Sequence, residues 1–203
     1  MPKKISEYYL KEQPINWGRT IVAGAISALF MATFIDIFYL IGITPFSFEI
    51  YLGTLLRGTQ YGLLNWVAGL FANLIVGSLF GVFYGYCFEY IFLRSSARIG
   101  LWIGFWHTLA AGCAVFPFFG AIHEFMNTGL YPKFGFLGAS LSAATFFLII
   151  FAHLLFGLCM GTFYGPVRLD RVLSQTFEPG ETGLTPEEGG ISKEEDPEDR
   201  MAV

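Results

Sequence analysis

Four unbroken apolar stretches constrain this chain more than any other feature. They run from about Arg19 to Ile43, Leu63 to Phe92, Arg98 to Ile122 and Gly135 to Tyr164. Each is long enough to cross a bilayer, which takes about 20 residues in a helix. In lipid a backbone must satisfy its own polar groups, and an open sheet leaves an edge unpaired, so the stretches read as helices. Composition agrees: only 14% of the 203 residues are charged and 54% are hydrophobic, whereas a soluble domain carries about a quarter charged. That balance excludes a disordered chain, a basic nucleic-acid binder and a disulfide-rich secreted module. The expected fold class is an all-α integral membrane protein with four transmembrane helices. Its expected surroundings are the lipid bilayer, with no nucleic-acid partner.

Charge divides the chain into three parts. Residues 1–16 form a short segment before the membrane domain of residues 17–171, and residues 172–203 form a tail. Up to residue 171 there are 10 basic and 7 acidic residues; the tail holds 2 basic and 9 acidic ones. The tail is rich in Glu, Gly and Pro, a composition that cannot bury a core, so it reads as disordered. Lys3, Lys4, Lys11 and Arg19 precede the first span, Arg94 and Arg98 join the second to the third, and Arg168 and Arg171 follow the fourth. The other two connections hold only Arg57 and Lys133. By the positive-inside rule both termini are cytoplasmic. The first span exceeds a signal-peptide core in length and carries Asp36, so it reads as a retained helix capped by Asn16. Trp17, Trp66 and Trp102 fall near span ends, where indole rings favour the membrane interface. The three cysteines are scattered over three spans and read as free thiols.

Self-comparison shows a repeat. Residues Ala72 to Gly85 and Ala152 to Gly165 share Ala, Leu, three Gly and a final Phe-Tyr-Gly at a constant offset of 80. Gly24 and Leu29 fall on Gly104 and Leu109 at the same offset. Two helical hairpins, duplicated or convergent, follow. A unit of two spans starts each copy on the same side, so the repeats are parallel, unlike the inverted repeats of many transporters. Gly77, Gly81 and Gly85 recur every four residues, and so do Gly157, Gly161 and Gly165. Each trio lies on one helix face, and such stripes of small residues let helices approach closely in lipid. Spans two and four are expected to meet through these faces, or each face receives its own hairpin partner.

Each span also carries a polar residue. One turn back along the glycine stripes lie Asn73 and His153. In span one the small residues Gly24, Ala28 and Ala32 lead to Asp36, and in span three His107 sits beside Gly104 and Gly112. Asp36, Asn73, His107 and His153 therefore form a candidate intramembrane polar cluster. With a rise of 1.5 Å per residue it is staggered as a column, with His153 near the midplane. A buried Asp there costs about 2.5–3.5 kcal/mol on insertion scales and needs a partner or a proton. The cluster reads either as a hydrogen-bonded clamp, with Asn73 and His153 paired, or as a place that handles protons, ions or a small solute.

A second candidate cluster, Glu49, His123 and Glu124, falls in the outer connections. Adjacent His and Glu on a helix point about 100° apart, and no H-x-x-x-H spacing is present, so no metal is expected. The first outer connection, about Thr44 to Gly62, is long and carries many apolar residues; it reads as a short interfacial helix. Glu89, near the end of span two, reads as an interface anchor for Arg19, Arg94 or Arg98. Pro117 should kink or end span three. No phosphate loop, dinucleotide fingerprint or nucleophile elbow occurs, so neither enzyme chemistry nor a cofactor is expected.

Asn65-Trp66-Val67, Tyr84-Gly85-Tyr86-Cys87, Leu101-Trp102, Phe116-Pro117 and Ala152-His153-Leu154 give the last three spans a resemblance to the YagU-type bacterial inner-membrane proteins. The resemblance implies a small multi-pass protein of the bacterial inner membrane without a settled activity, and a link to acid tolerance that suits intramembrane histidines. It implies no catalytic residues. Two functional expectations follow. One is a structural or regulatory membrane component, as a homo-oligomer or beside a membrane-protein partner. The other is a small proton, ion or solute conduit built on the Asp and His residues.

Overall fold

The computed structural model describes residues 15–58 and 62–170. The acidic tail and the segment before Ile15 lie outside these residues. Helix α1 spans Trp17–Leu40, α2 Phe48–Arg57, α3 Leu63–Tyr86, α4 Ala97–Ala110, α5 Phe116–Ile122, α6 Glu124–Asn127 and α7 Ala143–Phe163. A π-turn, Cys87–Ile91, extends α3, and a second, Ala111–Val115, joins α4 to α5. No strand occurs among the described residues. Four helical segments are long and apolar enough to cross a membrane: Trp17–Leu40, Leu63–Ile91, Ala97–Ile122 and Ala143–Asp170. The chain thus has the helices of a multi-pass membrane protein. Phe71, Ile75, Leu79, Trp102, Trp106, Phe147 and Phe151 are exposed on them, as side chains facing lipid would be.

Side-chain caps set several starts. Asn16 accepts from the Arg19 N–H, Ser96 from Ile99 and Ser142 from Thr145, each satisfying a first-turn donor that the helix cannot. The fourth span begins later than the sequence reading placed it. Gly135, Leu137 and Gly138 have φ of 66°, 49° and 75°, a left-handed backbone that no α-helix continues. Residues 135–142 are therefore a loop with a single 3-10 turn, and Ser142 caps the helix. The first span ends at Leu40, just before Gly42 at φ 77°. Pro117 neither ends nor breaks the third span. A π-turn precedes it, closed by the Phe116 N–H on the Ala111 carbonyl, and Pro117 falls in the first turn of α5, where a missing N–H is tolerated.

Helix α1 packs on α3 and on α7, and α4 packs on α7. Each glycine face meets its own hairpin partner. A β-carbon on Gly81 would lie 2.9 Å from Gly24 Cα and overlap the Thr20 carbonyl. One on Gly157 would lie 2.9 Å from Gly104 Cα, and one on Gly161 3.1 Å from Gly100 Cα. The facing pairs are shifted by one turn relative to the offset of 80. Gly81 meets Gly24, whereas Gly161 meets Gly100, so Gly100 stands where Gly24 does. A β-carbon on Gly165 would meet only the Arg19 side chain of α1 and not another glycine face; at φ 76° it follows the end of the last helix.

The long first connection departs most from expectation. Thr44, Phe46 and Ser47 are buried, and α2 runs antiparallel to α3, embedded in the bundle rather than lying on its surface. Contact is backbone to backbone: a β-carbon on Gly53 would overlap the Asn65 carbonyl, and one on Gly69 the Glu49 carbonyl. One face of α3 thus serves two partners. Asn65, Gly69 and Asn73 receive α2; Gly77, Gly81 and Gly85 receive α1. Two apolar clusters fill the interior. At the loop end Phe46, Tyr51, Phe116, Phe119, Phe134 and Ile149 pack together. At the end where α1 begins and α7 finishes the cluster holds Tyr84, Phe88, Phe156, Met160 and Tyr164.

Candidate functional site

Ser47 sets the site by capping α2 and binding α1 at once. Its hydroxyl oxygen accepts weakly from the Ile50 N–H at 3.5 Å and donates to Asp36 Oδ1 at 2.7 Å. Trp66, in the first turn of α3, donates its indole N–H to Asp36 Oδ2 at 2.6 Å. Both oxygens of Asp36 therefore accept, the geometry of a carboxylate. This ties α1, α2 and α3 at one point and gives Trp66 a polar role beyond an interface anchor.

Glu49, two residues after Ser47, is fully buried. The Asn73 amide donates to its Oε1 at 3.0 Å. Its Oε2 is buried and receives no N–H or hydroxyl donor, and the protonated carboxyl is hydrogen-bonded to Asp36. Burial, then the neighbouring Asp36 charge, push the Glu49 carboxyl up from 4.5 to about 8. Two carboxyls that close cannot both ionise cheaply, so Glu49 carries a proton at neutral pH while Asp36 takes the hydroxyl and indole donors.

Glu49 and Asn73 line a cavity of about 60 Å³ together with His107 and His153. A few waters fit such a space. The two imidazoles stand edge to face, their centroids 4.9 Å apart. His153 Nδ1 lies 2.8 Å from the Ile149 carbonyl. A carbonyl only accepts, so Nδ1 carries the proton and, in the neutral ring, Nε2 is left as an acceptor. His107 is stacked on Phe80, with centroids 4.1 Å apart, and its Nδ1 is 3.4 Å from the Tyr84 hydroxyl.

The four residues read from the sequence are all buried, but they form two groups and not one column. Asn73, His107 and His153 share the cavity, while Asp36 sits behind Glu49, held by Ser47 and Trp66. His107 and His153 are side by side where α4 packs on α7. Asn73 pairs with Glu49 rather than with His153. The second candidate cluster is not assembled: Glu49 belongs to the cavity, Glu124 is exposed, and His123 is buried elsewhere. His123 Nε2 lies 3.1 Å from both the Tyr51 carbonyl and Thr54 Oγ1. Burial pushes its imidazole below the ordinary histidine value. No group of three or more His, Cys, Asp or Glu among the described residues could hold a metal.

A further polar knot was missed. Glu89, buried in the first π-turn, accepts from the Tyr164 hydroxyl at 2.7 Å and the Arg168 N–H at 2.8 Å. Arg19 donates to the Pro166 carbonyl at 3.0 Å, and Ser95 to that of Gly165. The knot joins the far ends of all four spans, and Glu89 is an internal fastening rather than an interface anchor. The available signal was the short run Gly165-Pro166 directly after the apolar stretch, a turn whose carbonyls a helix does not pair and side chains must.

No family model, curated protein or solved structure matches the chain.

Proposed function

We propose that this chain is a small membrane protein that takes up and releases protons at the Glu49–Asp36 carboxyl pair, within a conduit for protons or a proton-linked solute. The observation that carries this reading is Glu49 itself. It is a fully buried carboxyl with no N–H or hydroxyl donor to one oxygen, hydrogen-bonded to a second carboxyl and on the wall of a cavity with two imidazoles. A purely mechanical clamp would satisfy both oxygens, as Asp36 does. Ionisable residues inside a membrane bundle commonly mark proton and ion paths. The parallel hairpin repeat, with Asn73 and His153 at matching positions, supports one such site shared between two copies of a packing unit. The glycine stripes, read as helix interfaces, suit that role.

We place both termini in the cytoplasm from the distribution of Lys and Arg, and the protein in a bacterial inner membrane from the YagU-type resemblance. No enzymatic step is assigned to it. The test is decay of a pH gradient in liposomes holding the purified protein. Wild type should dissipate the gradient faster than empty liposomes, and a folded Glu49→Gln variant should not. Equal rates for the two proteins would refute proton passage through Glu49.

A second reading, a structural or regulatory component acting as a homo-oligomer or beside a membrane partner, is favoured by one observation. Ser47, Trp66 and Asn73 tie three helices together through hydrogen bonds of 2.6–3.0 Å. Under that reading substitutions at Asp36 and Glu49 change stability and leave liposome flux at background.

A further inference from the structure

The cavity at Glu49 has an uneven chemistry. Its lining contains no Lys or Arg, while Phe46, Phe48, Phe80, Phe116 and Phe156 all contribute to its wall. The charged and titratable groups around it are few and come from each packed element. Asp36 stands on α1, Glu49 on α2, His107 on α4 and His153 on α7, with the neutral Asn73 on α3. When Glu49 releases its proton, two carboxylates lie together with no Lys or Arg among the described residues of the cavity to answer them. An unpaired buried charge is costly. A wall of aromatic rings offers negative faces that attract a positive group stripped of water. Both features ask for the same occupant, a compact cation with apolar substituents.

We propose that the cavity binds a small alkylammonium ion in exchange for the Glu49 proton. This rests on the proton-handling reading above and names its substrate class. The ammonium group lies toward the Glu49 carboxylate, whose hydrogen bond to Asp36 is lost with the proton, and its alkyl groups lie against the phenylalanine rings. The proton leaves Glu49 for water as the cation enters, so the charge in the cavity is conserved. His153 Nε2, an acceptor in the neutral ring, suits a primary ammonium better than a quaternary one. Methylammonium and tetramethylammonium are therefore both used as probes.

The test is calorimetric titration of the full chain in detergent with each probe, and with tert-butanol as an uncharged analogue. Proton release is measured in two buffers of different ionisation enthalpy. At pH 7 at least one ammonium should bind with release of close to one proton. Affinity should be about 100-fold weaker at pH 6 than at pH 9, because Glu49 must lose a proton held to about pH 8. tert-Butanol should show no such pH dependence. Glu49→Gln, which mimics the protonated carboxyl, should keep the fold and abolish cation binding. Phe80→Leu should weaken binding of the ammonium by about 3- to 30-fold and leave that of tert-butanol unchanged. Binding of neither ammonium at pH 9, or equal binding at pH 6 and pH 9, would overturn the proposal. A carboxyl infrared band that titrates near pH 8 in the same sample shows whether the proton site itself survives such a failure.

Discussion

The pair Asp36 and Glu49 shows how position divides two like groups into different roles. Asp36 receives a hydroxyl and an indole N–H; Glu49 receives one amide and faces a cavity. Substituting each has a different expected outcome. In Asp36→Asn the new amide N–H₂ faces a donor, so one of the two hydrogen bonds is lost. Stability should fall by about 1–3 kcal/mol, read as thermal unfolding in detergent. Glu49 predicts a pH effect of definite sign. Its folded value lies above the ordinary one, so between about pH 4.5 and pH 8 the folded chain holds a proton that the unfolded chain has released. Stability should therefore fall as pH rises through that window, by up to about 1.4 kcal/mol per pH unit. Glu49→Gln should flatten the slope. An unchanged slope in that variant would assign the effect to another group. The identities of Asp36, Asn73, His107 and His153 as buried polar residues were legible from their places beside small-residue stripes. Glu49 was not, because a carboxyl in a long connection reads as solvated until the connection is seen to fold inward.

At the scale of elements, the helices follow from simple causes and α2 shows their limit. Runs of more than 20 apolar residues can only be spans, so four of them were readable directly. The start of the fourth was misjudged because Leu, Phe and Gly in residues 135–142 are as apolar as a helix, while the left-handed backbone at three of them is invisible to hydropathy. The docking of α2 had a signal that went unread. Asn65, Gly69 and Asn73 continue the four-residue stripe of Gly77, Gly81 and Gly85, and Glu49 and Gly53 repeat the same spacing. Two small-residue stripes in sequence neighbours are a docking pair. Gly53→Ala should accordingly drive α2 off α3, lowering stability by about 2 kcal/mol or more, and should free Asp36 from Ser47. An exposed control, Gly62→Ala, meets nothing within 4 Å and should leave stability nearly unchanged. Equal effects at Gly53 and Gly62 would contradict the embedded position of α2.

The whole molecule is two close-packed hairpins joined through α1 and α7, with a polar site at one end and a polar knot at the other. Between them Tyr84, Phe156 and Met160 are almost completely buried. The arrangement predicts a cross-linking pattern in a chain whose own cysteines are replaced. A cysteine pair at positions 21 and 78, where the Ser78 hydroxyl donates to the Ile21 carbonyl at 3.2 Å, should trap as a disulfide in membranes. A pair at 77 and 157 should not, since those faces are turned to different partners. Trapping of the last pair would mean that the hairpins meet through their glycines. The central claim is that a carboxyl buried in this bundle holds its proton to near neutral pH and lets it go. Infrared titration of the reconstituted protein measures this directly, by following the protonated-carboxyl band from pH 5 to pH 10 in wild type and Glu49→Gln. The account predicts one carboxyl band lost with a midpoint near pH 8 and absent from the variant throughout. A wild-type band already gone by pH 6, or one that persists in Glu49→Gln, would contradict it.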